Sequence, residues 1–162
     1  MAKQEKNKDK KYITVKDCTL YWAYLHKVSD RSGKYQVNLC NLSKGDAMAL
    51  KEAGLTVHEG KEKGHAEYGS FIVAKTVASN GPVQVVDSKR NTIVDATNVG
   101  NGTKANVNIV AYWHADYGNG EGVGCGLQNV QVIELVEYSA GGGFEEVEGY
   151  VAPQTEQQPA FD

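Results

Sequence analysis

The sequence predicts a mainly β domain carrying a single short helix. Three observations lead there. Lys34 to Cys40 and Thr103 to Trp113 alternate apolar and polar residues, the period of a strand with one buried and one wetted face. One segment, Ser43 to Gly54, has start and stop signals for a helix. Glycine-rich and polar clusters separate the apolar runs, as turns between short strands do.

Taken in order, residues 1–11 hold five lysines against Glu5 and Asp9 and read as a flexible basic arm. Tyr12 to Val15 fits a short strand, and Thr19 to Lys27 (T-L-Y-W-A-Y-L-H-K) a second, rich in rings. Alternation in the second gathers Trp22, Tyr24 and His26 on one face and Tyr21, Ala23 and Leu25 on the other, without saying which meets water. Ser29 to Gly33 is a polar turn. Beyond it, Tyr35, Val37 and Leu39 share one face of a strand, and Lys34, Gln36 and Asn38 the other. The two segments pair as a hairpin whose faces the alternation fixes.

In the helix, Ser43 can cap the first turn, Asp46 sits near its positive end, and Gly54 can supply the left-handed residue that ends it. Its apolar stripe (Ala47, Leu50, Ala53) suits a plug packed on a sheet. Glu59 to Tyr68 is a charged, glycine-punctuated loop. Phe71 to Val77 is a strand with Phe71, Val73 and Lys75 on one face. A short apolar run, Val83 to Val86, precedes the cation pair Lys89-Arg90. In Thr103 to Trp113 the apolar face is Ala105, Val107, Ile109, Ala111 and Trp113. Lys104, Asn106 and Asn108 take the wet face, and Tyr112 falls in line with Lys104. A last strand runs near Leu127 to Tyr138. Residues 139–162 hold five acids, two prolines and no lysine or arginine, and read as a flexible acidic tail.

A chain of 162 residues suits one domain, here residues 12–138, burying roughly two-thirds of its unfolded surface. The net charge of −3 hides the basic head and acidic tail, with the middle nearly balanced. That asymmetry suggests a polyanion partner or a contest between the two ends. A near-neutral core argues against tight duplex binding, which goes with a strongly basic face. Cys18, Cys40 and Cys125 form no C-x-x-C pair and are odd in number, as in a reducing compartment. The lysine-rich start lacks the apolar core of a secretory signal. No run approaches 18 apolar residues, so no membrane span is expected.

Several chemistries lack their residues. The glycines from Gly118 to Gly126 do not have G-x-G-x-x-G spacing, and no helix follows them; Gly100 to Lys104 has Walker A letters in the wrong order. Both runs read as turns and bends joining twisted strands. His26, His58, His65 and His114 form no H-E-x-x-H pair, and His114, Asp116 and Cys125 could meet only through folding. No serine lies in a G-x-S-x-G elbow. The expectation is a protein that is not an enzyme and needs neither cofactor nor metal.

The ordered pieces resemble a known family. They are Tyr-x-Val-Asn-Leu (Tyr35 to Leu39), the capped helix, Phe-x-Val-x-Lys (Phe71 to Lys75) and Pro-Val-x-Val-Val-Asp (Pro82 to Asp87). Then come Val-Gly-Asn-Gly-Thr-Lys-x-Asn-Val (Val99 to Val107) and Gly-Val-x-x-x-Leu-Gln-x-Val-Gln-Val (Gly122 to Val132). The last two are the most specific. Together they are similar to the single-stranded DNA-binding proteins of tailed bacteriophages, over roughly residues 12–138. The resemblance implies an OB barrel, five-stranded and Greek-key, with a helix at one end. That helix falls between the third and fourth strands if Tyr12 to Val15 counts as the first. It also implies action in the cytoplasm of the infected host, often as a homodimer. The family's acidic tail ends in an aromatic residue, contacts replication proteins and competes with DNA for the groove. Glu145, Glu146, Glu148, Phe161 and Asp162 would serve here, although the acids thin out toward the end and Asp162 follows Phe161.

The expected site is nucleic-acid-binding. Bases would stack on Tyr112 and on Trp22 or Tyr24, and phosphates would meet Lys34, Lys75, Arg90 and Lys104, in sequence-independent binding of single-stranded DNA during replication and recombination. The same face could serve an RNA-binding, cold-shock-like module. A structural or assembly protein using its glycine-rich loops and tail is the non-binding alternative.

Overall fold

A computed structural model describes residues 10–114, 122–137 and 147–151. Among them are β1 (Lys11–Tyr24), β2 (Lys34–Cys40), α1 (Lys44–Glu52), β3 (His58–Glu59), β4 (Ser70–Val77), β5 (Gln84–Val86), β6 (Thr103–His114) and β7 (Gly122–Glu134). Short 3-10 turns lie at Gly60–Lys63, Ala66–Tyr68 and Ala78–Asn80.

The fold is mainly β, and its sheet closes on itself. β2, β1, β6 and β7 are successive antiparallel neighbours, and β4 joins β2 on one side and β7, in parallel, on the other. β3 extends β4, and β5 runs parallel beside β7. A cross-strand row can be followed around the ring. Tyr12 faces Val110, then come Gly126, Lys75 and Gln36, and the row returns to β1 at Tyr24. That offset along β1 is the stagger that tilted barrel strands require. The β4–β7 join is the thinnest seam, with Lys75 opposite Gly126 as its one residue pair.

The ring encloses a close-packed interior of Val15, Leu20, Leu25, Val37, Leu39, Val85, Val107, Ile109 and Val130, plugged by Leu50 of α1. Each buried Val or Leu contributes about 1.5–3 kcal/mol. The inward set expected for β2 is found there, with Tyr35 packed against the cluster, and so is that of β6 except for Trp113, which is half-buried outside it. Ser43 Oγ accepts from the Asp46 amide at 3.1 Å, as a helix cap should. Gly54, at φ 96, closes the other end: its N–H donates to the Lys51 carbonyl and that of Leu55 to Leu50, each at 3.0 Å. Asp46 Oδ2 also accepts from the Lys16 amide at 2.9 Å, tying the helix to β1.

Several expectations need correction. The last strand runs from Gly122 to Glu134, starting earlier than Leu127 and ending before the expected Tyr138. Tyr12–Val15 and Thr19–Lys27 are not separate strands: Lys11 to Tyr24 is continuous. It is bent at Asp17 and Trp22, each at φ 53, where its register slips against β6 and then β2. A bulge adds a residue to one strand and breaks its alternation. Tyr21 and Tyr24 therefore pair with the outward Asn38 and Gln36, while Leu20 and Leu25 both reach the core. Because β1 is one strand, the helix lies between the second and third ring strands, β2 and β4, rather than between the third and fourth.

Candidate nucleic-acid interface

A cleft of about 630 Å³ opens where β4 and β7 part at the seam. Lys10, Lys75, Val77, Pro82, Tyr112 and Trp113 are among its walls. The cross-strand row described above runs through it, so Lys75, Gln36 and Tyr24 lie side by side on the outer surface. Lys34 faces Val77, one step along the same face. Tyr24, Lys34, Lys75 and Tyr112 are thus brought together. Lys10, Tyr12 and Trp113 join them without having been singled out in the sequence.

Tyr112 owes its position to the glycines of β7. A Cβ on Gly124 would lie 2.5 Å from its Cζ and 2.6 Å from its hydroxyl, and one on Gly126 would lie 3.5 Å from its Cε1. The ring therefore lies across bare backbone, with 38% of the residue still exposed. The sequence reading of Gly122–Gly126 as a bend is overturned: these residues are strand. The signal was their spacing. Gly122, Gly124 and Gly126 alternate with Val123, Cys125 and Leu127, which pack inward.

His26 fixes one wall. Its Nδ1 accepts from the Ala96 amide at 2.9 Å, which leaves Nε2–H to donate to the Val83 carbonyl, also at 2.9 Å. Val83 lines the cleft.

Farther along the same strands the outer surface is used differently. Thr14 Oγ1 donates to Asn108 Oδ1 at 2.6 Å, and Asn108 Nδ2 to Asn129 Oδ1 at 2.7 Å. In the next row Asn106 accepts from the Asp17 amide and donates to Gln131, which in turn donates to the Ser88 carbonyl. Lys104 lies beyond both rows, opposite Thr19 and Glu134. It shares a face with Tyr112 but is about 26 Å away along β6, at ~3.3 Å per residue. Arg90 sits in the exposed turn after β5, at φ 71. Neither cation reaches the cleft.

Trp22 occupies its own place at the second bulge of β1, 52% exposed, with its backbone N–H donating to Asn101 Oδ1 at 2.8 Å. Of the expected tail contacts, Glu148 is exposed within 147–151; Glu145, Glu146, Phe161 and Asp162 lie outside the described residues. Among the described residues no group of three or more His, Cys, Asp or Glu could hold a metal, and no helix is long and apolar enough to cross a membrane. Asp116 is outside them. Burial pushes all three thiols up to about 12, so none supplies a thiolate nucleophile at neutral pH.

The class this ring defines is a small OB-like β barrel, with rings and lysines gathered outside one seam. The chain belongs to the family of the Enterobacter phage Enc34 ssDNA-binding protein, whose model matches residues 28–159. In fold it is similar to gp2.5, a single-stranded DNA-binding protein encoded by bacteriophage T7, with TM-score 0.57 and 21% identity over 90% of this chain and 100% of that one. It is likewise similar to the C-terminally truncated single-stranded DNA-binding protein of bacteriophage Enc34, with TM-score 0.62 and 16% identity over 84% and 96%. A search of curated proteins gave no match.

Proposed function

We propose that this chain binds single-stranded DNA without regard to sequence, in phage DNA replication and recombination, and does so at the β4–β7 seam. One observation carries the location: the exposed ring of Tyr112 shares a cleft with Lys10 and Lys75. A flat ring and cations together suit an unpaired strand, because every base has a face to stack and every nucleotide a phosphate to neutralise. Bases stack on Tyr112 and Tyr24; phosphates meet Lys75, Lys34 and the basic arm. Arg90 and Lys104 reach only DNA that continues past the cleft. We read the ring as a five-stranded Greek-key OB barrel, with β3 and β5 as additions. The protein acts by binding alone, with no cofactor, in the host cytoplasm. Its acidic tail serves contacts with replication proteins, and the barrel edges allow a homodimer.

Titration with oligo-dT, followed by intrinsic fluorescence at two salt concentrations, tests this reading. Quenching is expected, with a log–log salt slope near roughly −3 if about four phosphates are neutralised at ~0.7 each. Absence of quenching and of salt dependence would sink it. A matched RNA oligomer as competitor tells which sugar the groove prefers.

A further inference from the structure

Beside the seam cleft, reached through Val73 two residues from Lys75 along β4 (about 7 Å at ~3.3 Å per residue), lies a cluster of rings that the seam site does not use. Tyr68 is buried at its centre. Its ring packs on Tyr21 at 4.8 Å and edge-on against Phe71 at 5.2 Å. His65 stacks parallel to it at 4.8 Å, with an interplanar angle of 13°. Its hydroxyl accepts from Trp22 Nε1 at 2.8 Å. The rings facing outward are Trp22 and His65, whose side chain is 53% exposed.

The backbone is arranged to hold this group. The chain from Gly60 to Gly69 folds back on itself, with Gly60 N–H donating to the Gly69 carbonyl at 2.7 Å. A Cβ on Gly60 would lie 2.2 Å from the His65 carbonyl, so only glycine permits the fold-back. Asn41 N–H then fastens the Tyr68 carbonyl at 2.6 Å. Trp22 itself is left-handed, at φ 53, a conformation bulky side chains avoid. Strain held at an exposed ring by surrounding contacts is a mark of use. Here the bulge turns outward a tryptophan that unbroken alternation from the buried Leu20 would have turned inward.

We infer that Trp22 and His65, braced by Tyr68, form a second base-stacking station for the same single strand. The inference rests on the seam reading, and three features favour an unpaired base as occupant. The station presents rigid π faces. The row Tyr21–Asn38–Val73 lies directly beside the row Tyr24–Gln36–Lys75, so the surface is continuous with the cleft. Glu67, 3.6 Å from His65, makes the rim unsuited to a phosphate, so the contact is with a base rather than the backbone. Tyr68 acts only through the others, as a positioning residue.

The decisive variant is Trp22→Gly. Glycine accepts φ 53 without strain, so the bulge should survive, the relieved strain offsetting much of the lost Trp22–Tyr68 hydrogen bond, while oligo-dT affinity falls by about five- to 150-fold, the range for one stacked base. The salt slope should not change, because no phosphate contact is lost. As a second measurement, the full chain labelled with 5-fluorotryptophan gives separate resonances for Trp22 and Trp113, the former identified by its loss in Trp22→Gly. The Trp22 resonance should shift on adding oligo-dT. His65→Ala should lower affinity less. If the wild-type chain binds oligo-dT but the Trp22 resonance stays fixed and Trp22→Gly binds normally, the station is refuted and the seam reading survives. If the wild-type chain does not bind, both fall.

Discussion

The outer surface of β6 and β7 holds two regions built on one alternation, with opposite results. Toward Lys104, the outward Asn106 and Asn108 meet Asn129 and Gln131, and the side chains bond to one another across the strands. Toward His114, the outward Tyr112 meets Gly124. With no side chain opposite, the ring lies on backbone and keeps a face for a ligand. The period of two was the same in both; the partner strand decided whether a wet residue became structural or available. An outward residue can offer itself to a ligand only where its neighbour leaves its hydrogen bonds or its ring face free.

Substitutions at the two ends should therefore separate binding from stability. Tyr112→Ala should cost about 1–3 kcal/mol in oligo-dT affinity and leave the thermal midpoint nearly unchanged. Equal losses of both would show that the ring is structural after all.

Gly124→Ala probes the same contact from beneath. Its Cβ would enter the space of the Tyr112 ring, which can lift because it is the end of a side chain. The expected loss is no larger than that of Tyr112→Ala, with little further loss when the two are combined, since contacting residues do not add. Full additivity in that cycle would disconnect the glycine from the ring.

Asn108→Ala should do the reverse. It removes the partner of both Thr14 and Asn129, and about 0.5–1.5 kcal/mol of stability in urea unfolding is expected for such bonds. Affinity should be unaffected. A smaller contrast belongs to the cations. Lys75→Gln should flatten the salt slope by about 0.7, the share of one phosphate on a single strand, while Lys104→Gln should not. An equal effect from Lys104 would extend the groove along all of β6.

Much of this was legible in the residues. The alternation of β2, and of β6 as far as Ala111, gave their inward faces, and Ser43 and Gly54 gave both ends of α1. Both signals are local: one needs only neighbours two apart, the other only a cap and a turn. β1 was not legible, because its bulges at Asp17 and Trp22 answer to partner strands distant in sequence. Asn101, which holds Trp22, is 79 residues away. The β4–β7 seam, a single long-range pair, leaves no local trace either. Tyr112 and Lys75 were named from alternation on their own strands. That they share a cleft, and that Lys104 and Arg90 do not, depends on ring closure.

Acid gives the mildest way to part the two regions, beginning at the far end of the amide rows. Asp87 shapes the turn whose Ser88 carbonyl accepts from Gln131. Hydrogen bonds from the Asn91 amide first, then from the Asn91 side chain and the Lys89 amide, hold its carboxyl below the usual value of 3.8. A carboxylate depressed by folding stabilises its turn above the unfolded value and loses that contribution as pH falls through the lower, folded one. At neutral pH the turn should be intact; well below pH 3.8 the Asn91 amide signal should move in an NMR titration, followed by the side-chain signals of Gln131. Asp87→Asn should abolish that titration. The ring signals of Tyr112 should not move with it, since no bond in the two amide rows passes through the seam. If they did, the availability of the ring would depend on the amide rows, and the two ends of β6 would have to be treated as one unit.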